Sequence, residues 1–156
     1  MTAPDLVLCD VLLPHRSEAL DRWRSFVLDS YPEEAARFFR AEKDSFKNPV
    51  GQSIHAATET LLDGVLLERN GDGVPEALEA LVRIRAVQDF SPSEAVAFVF
   101  LLKRAVREVL AEASEGGPPA AVLRDLETRV DGLALAAFET YSRCREERFE
   151  IRLRAT

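Results

Sequence analysis

Cysteine, histidine and methionine are scarce in this chain: its 156 residues hold two Cys, two His and one Met. Cys9 and Cys144 stand far apart, with no CxxC spacing and no secretion signal beside them. That excludes a disulfide framework and reads as two reduced thiols in a cytosol. Basic charge is short as well. Twenty Lys and Arg face 27 Asp and Glu, a formal charge of −7, and the basic residues are interleaved with acids. Phosphate-backbone binding needs a concentrated basic face, so nucleic acid is excluded as a partner. Long apolar runs are missing too. The segment from Leu6 to Leu13 is interrupted by Asp10 and has no basic residue before it, so it lacks both the length of a membrane span and the flanks of a signal peptide. The expectation is a cytoplasmic protein with no membrane partner.

Sustained period-two alternation is absent, and Val and Ile occur inside patterns of three and four residues, so the fold class expected is all-α. An apolar fraction of 47% with 30% charged residues, nine Phe and one Trp supplies one core, and residues 1–156 are expected to form a single helical domain. The first helix, from about Asp5 to Leu13, should stop at Pro14. Ser17 then caps a second one with Leu20, Trp23, Val27, Leu28 and Tyr31 on one face. Ser30, Pro32 and Glu33 have the form of a capping box for a short helix carrying Phe38 and Phe39. Asn48 and Pro49 begin the next, with Val50, Ile54, Ala57, Leu61 and Val65 inward, and the loop from Asn70 to Gly73 ends it.

Ser91-Pro92-Ser93-Glu94 is the clearest local signal. Ser91 and Glu94 cap a helix whose stretch from Ala95 to Leu102 has no polar residue, which predicts a central position. Gly116, Gly117, Pro118 and Pro119 break it. From there to about Ile151 nothing interrupts a helix whose apolar positions, Leu123, Leu126, Val130, Leu133, Ala137, Tyr141 and Cys144, step by threes and fours. Such a helix is roughly 50 Å long and exceeds the thickness of the domain, so part of it must protrude or pair.

Little here resembles chemistry. Glu68, Asn70, Asp72 and Glu79 follow a calcium-loop spacing, with Asn70, Asp72 and Glu79 as candidate metal ligands. Glu68 stands where Asp is required, however, and an Asn-Gly and Asp-Gly turn is the commoner meaning. His55 has Glu59 four residues on, a single pair that reads as a polar flank of its helix. Arg85 and Asp89 have the spacing of a helical ion pair and read as a structural one. No GxSxG, Walker loop, GxGxxG or HExxH occurs, so neither a catalytic residue nor a cofactor is assigned.

Three segments together resemble one known family: Phe46-Lys-Asn-Pro-Val-Gly51, the run Arg83 to Ser93 continuing into Ala95 to Lys103, and Leu133 to Phe138 with Tyr141 and Cys144-Arg-Glu146. The resemblance is to the N-terminal domains of the RsbT co-antagonist proteins, RsbR and RsbRD among them, and spans about Leu20 to Arg152. It implies a globin-like, non-haem helical bundle with a long C-terminal helix, dimeric, serving as a sensory or interaction domain of bacterial stress-signalling assemblies. The lack of a proximal histidine in the central helix agrees with the absence of haem. Better-known members carry a STAS domain, no part of which is in this sequence, so a stand-alone member is expected. The function expected is a non-catalytic homodimeric regulator with itself and an unidentified regulatory protein as partners. Its expected interface is Leu126, Val130, Leu133, Ala137 and Tyr141. The alternatives are a sensor holding an apolar small ligand, such as a fatty acid, between helices, and calcium binding at residues 68–79.

Overall fold

Wherever apolar residues recur at threes and fours a helix forms, and no strand occurs among the described residues, which are 7–67, 73–88 and 90–155 of a computed structural model. In chain order these are α1 (Leu8–Leu12), a 3-10 turn (Leu13–His15), α2 (Arg16–Asp29), α3 (Glu33–Ala41), α4 (Pro49–Leu67), α5 (Val74–Val87), α6 (Pro92–Val96), α7 (Phe98–Ala113) and α8 (Ala120–Ala155). The fold is an all-α bundle. α7 packs between α2 and α8, and α5 packs between α4 and α8, so α8 supports both halves. Trp23 on α2 is fully buried, and its indole Nε1 donates to the Phe98 carbonyl at 2.7 Å, which positions the first turn of α7.

Local rules give way to tertiary contacts in several places. Pro14 does not end the first helix with a gap. It sits in the 3-10 turn, where a missing N–H costs nothing, and α2 starts directly at Arg16 without a side-chain cap from Ser17. Ser30 does not cap α3 either: its hydroxyl donates to the Val27 carbonyl and accepts Arg85 Nη1 at 3.1 Å. At Ser91 the local rule holds. Ser91 Oγ accepts the Glu94 N–H at 3.3 Å, and the Glu94 carboxylate accepts the Ser91 N–H at 3.1 Å. Hydrogen bonds from Ser91 hold the Glu94 carboxyl below the usual carboxylate range.

The stretch from Ala95 to Leu102 is not one helix apolar all round. It divides at Ala97 into α6 and α7, and while Phe98, Val99 and Leu102 are fully buried, Phe100 is 49% exposed. The cause of the division is Arg85. Its Nη2 donates to the Glu94 carbonyl at 2.7 Å, and the Ala97 N–H reaches the same oxygen at 3.4 Å in a 3-10-like bond. A side chain inserted into the ladder breaks the regular helix there. Arg85 is itself 1% exposed, 4.2 Å from the centre of the Phe90 ring, with Tyr31 and Phe98 as further aromatic neighbours. Burial pulls its guanidinium pKa below the ordinary value. Its Nε has no hydrogen-bond partner among the described residues, and Asp89, expected to pair with it, lies outside them.

A second polar knot fixes the start of α4. Asn48 is 1% exposed; its Nδ2 donates to the Phe39 and Glu42 carbonyls at 3.1 and 3.0 Å, and its Oδ1 accepts the Gly51 N–H at 2.9 Å. One side chain thereby joins the end of α3 to the cap of α4. A Cβ on Gly51 would stand 2.6 Å from Asn48 Oδ1, so only glycine admits this approach.

Two stability changes are expected. Gly51→Ala should lower the unfolding free energy by about 2 kcal/mol, because the cap must move or be lost. Arg85→Ala should cost about 3 kcal/mol or more, with Arg85→Lys recovering little, since an ammonium cannot reach Ser30 and Glu94 together while stacking on Phe90. Urea titrations followed by circular dichroism check both.

Candidate interaction surface

α8 has 36 residues and, at 1.5 Å per residue, is about 54 Å long. Its inward stripe is Val122, Leu126, Val130, Leu133, Ala137, Thr140 and Cys144, all buried. From Leu126 onward these positions alternate steps of four and three, the spacing of a coiled-coil seam. This seam lies against the chain's own α4, α5, α6 and α7, as well as α1. Leu126, Val130 and Ala137 are 0% exposed and Leu133 is 8% exposed. The expected dimer contacts among them are therefore core contacts of a single chain. Tyr141, the remaining expected contact, is half-buried and borders a surface groove.

A second seam runs along α8 on an outward face. Leu135, Phe138, Ser142, Arg145, Phe149 and Arg152 step by three and four in turn, and Leu135, Phe138 and Phe149 are 72%, 60% and 62% exposed. A large apolar side chain displayed at this spacing on one helix face has no covering partner within the described chain. Phe138 and Phe149 flank a groove of about 500 Å³ whose wall is Pro92, Tyr141, Ser142 and Arg145. Ile151 and Leu153 extend the exposed apolar surface toward the helix end, at 64% and 60%.

Polar contacts hold this part of α8 in place. Arg148 Nη1 donates to the Ala86 carbonyl at 2.8 Å, which satisfies one of the free carbonyls in the last turn of α5. Arg83 of α5 bridges Glu79 at 2.7 Å and Glu147 at 3.2 Å, and these hydrogen bonds raise its pKa. Cys144 beside them is buried, and desolvation pushes its thiol pKa up, which keeps it protonated and unreactive. Further along, Arg129 Nη1 donates to the Val65 and Leu66 carbonyls at 2.6 and 3.1 Å and so closes the end of α4.

The other expected sites separate. Asn70 and Asp72 lie outside the described residues, and Glu79 is engaged with Arg83. Glu79 also lines a groove of about 680 Å³ between α4, α5 and α8, walled by small residues such as Gly64 and Gly132 and rimmed by charges from Arg129, Glu139 and Arg143. No described helix is long and apolar enough to cross a membrane.

The outward seam was visible in the sequence as a second run of threes and fours. The richer inward run beside it concealed it.

A family model described as the RsbT co-antagonist protein RsbRD N-terminal domain matches residues 17–156. No curated protein and no solved structure matches.

The inward position of Leu126 makes a direct expectation. Leu126→Asp should bury an unpaired carboxylate, cost about 4 kcal/mol or more, and abolish the helical circular dichroism signal at 25 °C instead of yielding a folded monomer.

Proposed function

Since the chain belongs to the RsbT co-antagonist protein RsbRD N-terminal domain family, we propose that it is a non-catalytic input domain of stressosome-type signalling that works as a homodimer through the outward seam of α8. The observation that carries this reading is the exposed alternation of Leu135, Phe138 and Phe149 with Ser142, Arg145 and Arg152. Leu135, Phe138 and Phe149 supply the burial in such a seam, and the polar positions between and beyond them fix register and partner number at some cost in stability.

A second copy suits the surface better than an unrelated helix. Glu139, Glu146 and Glu150 share the strip with Arg145 and Arg152, so the patch carries both signs and complements itself under two-fold symmetry. The inward face is committed to the core, which lets pairing proceed without disturbing the fold. Through this dimer the domain presents a composite surface to a regulatory protein partner.

Light scattering across a concentration series should give a dimer for the wild type. Phe138→Glu with Phe149→Glu should give a monomer of unchanged helicity, because both side chains are exposed in the single chain. A wild-type monomer at every concentration would overturn the homodimer.

A further inference from the structure

Cations from three segments converge on one small cavity. Arg24 of α2, Arg40 of α3 and Lys43 of the α3–α4 connection line a space of about 230 Å³, with His55 of α4 in its wall. The first two are fixed in place. Arg24 Nε donates to Thr58 Oγ1 at 2.9 Å and its Nη2 to the His55 carbonyl at 2.6 Å. Arg40 Nη2 donates to Asp29 at 2.8 Å and to the Ser25 carbonyl at 3.3 Å. Lys43 has no ion-pair partner among the described residues. Asp21 is the one carboxylate that lines the cavity, while Asp29 and Glu59 approach Arg40 and Arg24 without lining it.

Among the lining residues three cations therefore stand against one carboxylate, in a chain whose net charge is −7, and with Arg40 already paired to Asp29 it is Lys43 that is left to meet an anion. Apolar side chains of Leu28, Phe39 and Ile54 complete the lining and leave room for a short organic moiety. We propose that this cavity binds a phosphate dianion, free or as the end of a small monoester. Positioned guanidinium and ammonium groups converging from three segments are the donors that phosphate oxygens accept best.

His55 reports on the site. Burial, then the Arg24 and Lys43 charges, hold its imidazole pKa below the ordinary value, against the opposing pull of Glu59 and Asp21. A bound dianion reverses that balance. The seam on α8 takes no part in this cavity, so the proposal stands apart from the dimer.

The test is nuclear magnetic resonance titration of the two histidine rings in the full chain, with inorganic phosphate, with glycerol phosphate, and with sodium chloride at matched ionic strength. Phosphate should raise the His55 midpoint by about half a unit or more and leave His15 unmoved. Lys43→Ala should weaken phosphate binding about tenfold, and Asp21→Asn should strengthen it several-fold. Tighter binding of glycerol phosphate would identify a monoester as the occupant, and equal binding the free ion. If sodium chloride moves His55 as far as phosphate does, or if His15 follows His55, the site is overturned.

Discussion

A buried guanidinium sets the arrangement on which the rest of this bundle depends. Removing Arg85 from water is expensive unless its N–H groups and its charge are answered inside. Ser30, the Glu94 carbonyl and the face of Phe90 answer its two Nη groups and its charge, and those three groups lie on different segments. Satisfying one side chain thus fixes the end of α2, the break between α6 and α7, and the connection that precedes α6. The break places Phe98 where its carbonyl meets the Trp23 indole, and so it determines how α7 enters the core.

The same chemistry recurs at lower burial. Arg24 reaches the His55 carbonyl, Arg40 the Ser25 carbonyl, Arg129 the end of α4, and Arg148 the end of α5. Helix C-termini leave carbonyls without intrahelical partners, and at the ends of α4 and α5 a cation from a neighbouring helix satisfies both the hydrogen bond and the local negative potential, whereas the His55 and Ser25 carbonyls lie inside α4 and α2. Apolar burial holds the helices together, while these arginines decide how far each one slides along its neighbour. The ion pairs between exposed side chains, such as Arg37 with Glu33, add little by comparison.

This division explains what could be read from the chain. Helix identity and the inward face of α8 follow from periodicity, because burial of Leu126, Val130 and Leu133 imposes a regular spacing on the sequence. The Ser91 and Asn48 caps are also legible, since both donor and acceptor lie within three residues. The fate of Ser30 is not: its capping partner is nearby, but the winning contact with Arg85 lies 55 positions away. The cavity beside His55 escapes for the same reason. Arg24, Arg40 and Lys43 look like ordinary surface charges until helix packing brings them together.

The burial of one seam of α8 and the exposure of the other have a further physical root. Two runs of threes and fours share this helix, offset by two residues at some positions and one at others, and at about 100° per residue their mean directions stand about 130° apart. They therefore face different ways, and only one can meet the core. Composition decides which. The run through Leu126, Val130, Leu133 and Ala137 has no charged member, whereas the run through Leu135 and Phe138 includes Arg145 and Arg152. A charged position is easily tolerated at a surface that associates in water, where its head remains hydrated at the rim, whereas in the interior of a bundle it needs a set of partners such as Arg85 has. The more apolar seam becomes core, and the mixed one is left for association.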